Sequence, residues 1–259
     1  MKLFNNKKLK KEPSVSIILP NYNSSKTIEA SINSILQQSY KNWKLIIVDD
    51  YSDAKTKMTL TKYKKIKKIK ILYLKKNMGA GYCRNIAIKK SNSHYLAFID
   101  SDDLWKKNKL KKQINFMQNN NYDFTYTYYE TFSGNNQVVK SIKTPEKFNF
   151  KSFTRNTSIA TSTMIVKKKL FGKIKFSDTK ICEDYYYKCQ ILKKIKYAYC
   201  YSHYLTQYQI RTNSLQSNRL RNLFWVWKIN KNFNKFHTLE NLISVFFISL
   251  NSLKKYGLR

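Results

Sequence analysis

The chain has little glycine and little proline, 5 and 3 among 259 residues, so few positions announce a turn on their own. It is also short of acid: 15 Asp+Glu stand against 50 Lys+Arg, a formal net charge of +35. Its four cysteines, Cys83, Cys182, Cys189 and Cys200, form no CxxC pair and no close cluster with histidine. That spacing excludes a zinc knuckle or a disulfide framework and leaves buried reduced thiols as the expectation. No apolar run reaches the roughly 18 residues that a membrane-crossing helix needs. The first 13 residues form a basic tail without the apolar stretch of a secretory signal, so a cytoplasmic location is expected.

What is present is a hydrophobic fraction of 42%, enough for a sizeable core. The basic excess favours anionic partners such as phosphorylated substrates or an anionic membrane surface. Lys, Asn, Ile and Tyr are abundant together, a composition that an AT-rich coding sequence also produces. No basic helix or aromatic reading motif points to nucleic acid, and no nucleic-acid partner is expected.

Periodicity gives an alternating order. Val15 to Leu19 is a short apolar run that stops at Pro20 and reads as a buried strand. Ile28, Ile32, Ile35 and Leu36 share one helical face, with Ser24 or Ser25 placed to cap it. Leu45 to Val48, Ile69 to Leu74 and Tyr95 to Ile99 read as further strands, with helical stretches between them. Strands alternating with helices predict βαβ units in a mostly parallel sheet. In such sheets ligands sit beyond the carboxyl ends of the strands. Four of those ends here read Pro20-Asn21-Tyr22-Asn23, Asp49-Asp50, Lys75-Lys76-Asn77 and Asp100-Ser101-Asp102-Asp103.

Beyond Glu130 the pattern loosens. Thr163 to Val166 reads as a strand, Asp184 to Lys194 as a helix, and two helices follow around Leu220 to Trp227 and Leu239 to Leu253. The last is broadly apolar; it either packs on the core, the favoured reading, or lies on a membrane.

Three carboxylates crowd Asp100, Asp102 and Asp103, and their mutual repulsion is relieved by a hard divalent cation that leaves positions for phosphate oxygens. The same acids could instead decorate the N-terminus of the following helix. Asp50 could take hydrogen bonds from a nucleoside or cap a helix. Arg84, after Gly79 and Gly81, suits a bidentate anion. Glu183-Asp184 opens a helix and offers a general base or a helix-end charge.

Together these segments resemble the family 2 inverting glycosyltransferases over roughly residues 14 to 217. Val15 to Asn23 is similar to the family's opening strand and donor loop, and Ile46 to Asp53 to its nucleoside-binding segment. Asn77 to Asn85 is similar to the segment approaching the donor, Phe98 to Trp105 to its DXD segment, and Cys182 to Tyr185 to the segment with the catalytic base. The resemblance implies the α/β GT-A fold over residues 14–216, with residues 217–259 as a C-terminal helical extension. It implies that Asp50 meets the nucleobase, with Pro20 and Tyr22 lining that pocket. Asp100 and Ser101 would then sit by the donor, Asp102 with Asp100 would hold Mn²⁺ or Mg²⁺, and Asp184 would be the base. The implied donor is a nucleotide sugar, by family default a UDP-sugar. The acceptor would be a glycan or a polyprenyl-diphosphate-linked sugar in surface polysaccharide synthesis at the inner membrane face.

Two departures stand out. Tyr51 replaces the family's usual glycine, which predicts a differently shaped loop. Arg211 stands where a histidine near the metal is common, and is expected to meet the diphosphate with Arg84. The competing classes are a sugar nucleotidyltransferase, which would want a Gly/Arg/Lys-rich phosphate loop after the first strand, and a non-catalytic basic binding module.

Overall fold

The computed structural model describes residues 12–133, 137–170, 174–179, 181–210 and 218–256. Ten strands form one sheet. Its path starts β3 (Ile69–Tyr73), β2 (Trp43–Asp49), β1 (Val15–Asn21) and β4 (Tyr95–Phe98), all parallel. It continues through β9 (Ile165–Lys167), antiparallel to its neighbours, to β6 (Phe124–Phe132), β10 (Ala198–Gln209) and the short β5 (Leu104–Trp105). β7 (Val138–Ile142) pairs with β6, and β8 (Lys147–Phe148) with β10.

The central strands β1, β2 and β4 are buried on both faces, and their alternation divides the core in two. Ile17 and Leu19 of β1, Leu45 and Ile47 of β2 and Ala97 of β4 face α1 (Ile28–Leu36) and α4 (Lys109–Asn119). Ile18, Ile46, Val48, Leu96 and Phe98 face α3 (Ala80–Lys89) and α6 (Glu183–Leu192). Such two-faced burial is why these strands read as unbroken apolar runs. The parallel half and its crossover helices follow the sequence expectation closely.

Several details differ. β1 does not stop at Pro20 but runs through it to Asn21, with Pro20 opposite Val48. The pairing with β4 ends at Ile18, and Ile18 O accepts from Ile99 N on that side. A missing N–H two residues further on therefore removes no ladder bond. Neither Ser24 nor Ser25 caps α1 through its side chain: Thr27 holds the cap position, and the Ser24 hydroxyl donates to Asn21 Oδ1. The long β6 and β10, joined in parallel, were not expected. All four thiols are free, and Cys83, Cys189 and Cys200 are buried. Among the described residues no helix is long and apolar enough to cross a membrane.

The C-terminal region is α7 (Arg219–Ile229), a π-helical turn and α8 (Thr238–Tyr256). The hairpin leans on α6: Tyr185 Oη donates to Asn230 Oδ1 at 2.7 Å, and Cys182 Sγ approaches Asn222 O at 3.8 Å.

Candidate active site

The carboxyl ends of β1, β2 and β4 converge on one rim. Asp49 is fully buried and structural: its Oδ1 accepts from Asn21 Nδ2 at 2.7 Å and its Oδ2 from Ser52 N at 3.2 Å. Asn23 closes the same knot, its N–H donating to Ser52 Oγ and its Oδ1 accepting from Asp53 N. Tyr22 and Tyr51, on the two loops so joined, are about half exposed at 52% and 55%. Tyr51 adopts φ +64°, the left-handed region that a glycine takes without strain. The loop therefore keeps a glycine-like shape with a tyrosine ring on it.

Asp50 is almost buried. Its two oxygens accept from the Met78 and Gly79 amides at 2.7 and 2.8 Å, which ties the end of β2 to the loop entering α3. Gly79 has φ +87° and opens α3. Gly81 is needed for a close approach: a Cβ there would lie 2.8 Å from both Ser177 O and Glu183 Cγ. That contact lets α3 sit directly against the start of α6.

Arg84, one turn into α3, is 4% exposed and lies over the Phe176 ring. Its Nη2 donates to Asp100 Oδ1 at 2.6 Å and its Nη1 to Glu183 Oε1 at 2.7 Å. Burial would favour loss of its proton, but the two carboxylates hold it more firmly charged than usual. Burial pushes Glu183 up against the pull of Arg84. The guanidinium expected to face a diphosphate instead joins the β4 end to the α6 end in this structure, and Arg211, its expected companion, lies outside the described residues.

After β4, Asp100 and Ser101 are half-buried and so is Asp102, while Asp103 is 1% exposed. Asp103 accepts from the Ser162 hydroxyl and from Gln209 N at 2.9 Å. Burial raises its carboxyl well above the usual range, and the charges of Asp102 and Asp100 push it further. Ser162 also receives the Asp100 N–H at 3.0 Å, and its carbonyl accepts the Trp105 indole at 2.9 Å. Asp103 is thus an internal tie between the β4 end and β10.

Asp184 lies in the first turn of α6, after Cys182 at φ +61°. Its Oδ2 accepts from Lys188 Nζ at 2.6 Å and Thr161 Oγ1 at 2.9 Å, and its Oδ1 from Tyr185 N at 2.8 Å. Burial alone would raise its carboxyl, but the charge and hydrogen bond of Lys188, the charge of Arg84 and the Thr161 bond outweigh it and set the pKa at about 2. Non-glycine residues in left-handed backbone, namely Asn23, Tyr51 and Cys182, thus recur where the loops meet. Strain of this kind concentrates at functional sites.

Sequence reasoning missed Thr161, Ser162 and Lys188. The hydroxyl run Thr161-Ser162-Thr163 carries no motif, and Lys188 is one of 50 basic residues. Among the described residues no group of three or more His, Cys, Asp or Glu is placed to hold a metal unaided.

This rim, beyond the ends of parallel strands with carboxylates gathered from β4 and α6, has the architecture of the GT-A fold. Residues 16–175 match the model for glycosyl transferase family 2. The chain belongs to that family and is a glycosyltransferase. It is 32% identical, over 94% of its length and 98% of the relative's, to TuaG of Bacillus subtilis, a glycosyltransferase assigned to teichuronic acid biosynthesis. It is 33% identical, over 92% and 91%, to the Escherichia coli UDP-Glc:alpha-D-GlcNAc-diphosphoundecaprenol beta-1,3-glucosyltransferase WfgD. Among solved structures, Staphylococcus aureus TarS 1–349 with UDP-GlcNAc superposes with TM-score 0.72 at 20% identity, over 93% of this chain and 75% of that one. A Pyrobaculum calidifontis mannosyltransferase with GDP-Man and Mn²⁺ gives 0.70 at 13% identity, over 92% and 70%. These two likenesses show the shared fold.

Proposed function

We propose that the chain transfers a sugar, with inversion, from a UDP-sugar to a polyprenyl-diphosphate-linked acceptor in surface polysaccharide assembly. The observation that carries this is the Arg84 bridge, which brings Asp100 and the Glu183-Asp184 pair, 16 and 99 residues away from Arg84, onto one rim. TuaG and WfgD, matched over almost their full length, support the pathway, and the acceptor in WfgD's name supports a lipid-linked substrate. Its site of action would then be the cytoplasmic face of the membrane.

In this reading Pro20, Tyr22 and Asp50 form the nucleoside end, with Asp50 held in place by the Met78 and Gly79 amides. Ser101 and Arg211 belong to the donor side. The Asp100 and Asp102 carboxylates fit a divalent metal: hard oxygen donors, two in number, with Arg84 taking only Oδ1 of Asp100. Mg²⁺ and Mn²⁺ are commonly held by one or two carboxylates together with substrate phosphates. Such an ion supplies Lewis-acid stabilisation of charge on the leaving diphosphate. Asp184 accepts the proton of the attacking hydroxyl. Its low pKa keeps it ionised at neutral pH, and its bonds to Thr161 and Lys188 fix its direction.

A donor screen tests the reading. Purified chain with Mn²⁺ or Mg²⁺ and a panel of nucleotide sugars should release UDP from one donor, and Asp102→Ala should abolish that release. Release unaffected by Asp102→Ala would refute the metal assignment; no release or thermal shift with any UDP-sugar would refute the donor class.

A further inference from the structure

α8 carries its larger apolar stripe on the outside. In a helix packed on a globular body the apolar stripe faces inward. Here the inward stripe mixes Asn241, Ser244 and Asn251 with Val245 and Ile248, the two apolar side chains that reach the core. Asn241 Nδ2 donates to Trp227 O at 3.1 Å, and Ser244 Oγ donates to Thr154 O at 2.5 Å. Asn230 Nδ2 donates to both Asn241 Oδ1 and Ser244 Oγ, and Asn251 Nδ2 donates to Arg155 O. Asn241 and Ser244 are each 1% exposed. On the opposite side Leu239, Leu242, Phe246, Leu250 and Leu253 fall within about 100° of arc, at 100° per residue. They are 37–70% exposed. Those five side chains run along nearly the whole 19-residue helix, roughly 28 Å at 1.5 Å per residue. Polar bonds fix the helix to the body and leave its apolar face outward.

Charge decides what covers that face. Residues 218–256 contain seven Lys or Arg and a single acid, Glu240, within a chain of net charge +35. Cations accompany the exposed rings: Lys228 Nζ lies 4.7 Å from the Phe224 ring, and the Arg155 guanidinium 5.8 Å from that of Phe247. A second copy would bring the same positive charge to the same face, and repulsion opposes that pairing. An anionic bilayer surface complements both the apolar stripe and the charge, the combination that defines an interfacial helix.

We infer that the outer face of α8 docks this chain on an anionic lipid surface, with the hairpin of α7 and α8 carrying the start of α6 towards the bilayer. The hairpin touches α6 through Asn230 to Tyr185 and through Asn222 to Cys182, two residues before Asp184. Docking thus deepens the reading of a lipid-linked acceptor, because it brings the base to the surface in which that acceptor is anchored.

The test is co-sedimentation of the full chain with phosphatidylcholine vesicles, with and without about one-third phosphatidylglycerol. Wild type should bind the anionic vesicles at least about tenfold more tightly than the neutral ones, and lose that binding in high salt. The double variant Leu242→Asp/Phe246→Asp should lose about tenfold or more while keeping its circular dichroism and its UDP release. Leu250→Gln/Leu253→Gln serves as a milder second variant. Equal binding by variants and wild type, no binding by wild type, or a dimer in sedimentation velocity that the double variant dissolves, would each overturn the inference. No acceptor is present in this assay, so its failure leaves the transferase reading standing. A failed donor screen would likewise leave vesicle binding intact.

Discussion

Replacing Lys188 by methionine should move the acid limb of catalysis. The Lys188 side chain is 3% exposed and donates to Asp184 Oδ2 at 2.6 Å, one helical turn away. Asp184 sits at about 2 against an ordinary 3.8, its side chain 26% exposed. At ~1.36 kcal/mol per pH unit, that is about 2 kcal/mol favouring the carboxylate. The folded pKa is depressed, so this contribution is fully present above the unfolded pKa near 4 and is lost as pH falls through about 2. Methionine keeps most of the volume and removes the charge. Burial is then opposed by Arg84, Thr161 and the Tyr185 amide without the lysine charge, and the carboxyl should rise. The pH dependence of kcat/KM reports the free enzyme's base. Wild type should stay level down to about pH 4, and Lys188→Met should bend with a midpoint between about pH 4 and 6. Lys188→Arg should restore part of the wild-type profile. Superimposable profiles for wild type and Lys188→Met would refute the coupling.

Two further substitutions probe the joints of the site. Gly81→Ala forces a Cβ to 2.8 Å from the Ser177 carbonyl and the Glu183 side chain, so α3 and α6 must separate. Thermal unfolding should show a loss of about 1–3 kcal/mol, and UDP release should fall with it; an unchanged transition would show that the contact yields freely. Arg84→Lys keeps one charge but cannot span Asp100 and Glu183 together, so one buried carboxylate loses its partner. Denaturant titration should show a loss of about 3 kcal/mol, and turnover should fall even where the variant is folded.

The parallel half of the fold was legible because its strands are buried on both faces and therefore spell continuous apolar runs, each ending in a polar or acidic group. Those ends collected Asp50, Asp100 and Asp102 as site candidates, and the family resemblance added Asp184. β10 was not legible: its Tyr, Ser, His and Gln residues pair along β6 on a half-buried surface, with shifts in register at Tyr204 and Thr206, and leave no alternation to read. The position of Arg84 inside a bridge, rather than on an open rim, depends on a contact 99 residues away. Lys188 is hidden by the basic composition that surrounds it. The last helix was recognised as apolar and does pack on the core, through Val245 and Ile248, but its sequence did not show that polar bonds would share that side. Asn241 and Ser244 sit beside them on the inward side, and five large apolar side chains are left outward.

The most direct test of the account is Asp184→Asn, measured two ways on one preparation. UDP-sugar binding by calorimetry and UDP release with acceptor present separate donor recognition from proton transfer. The substitution removes the basic carboxylate and leaves the donor side untouched. Binding should stay within about twofold of wild type while turnover falls by about 10²–10⁴. Turnover equal to wild type, with binding intact, would contradict the assignment of Asp184 as the base.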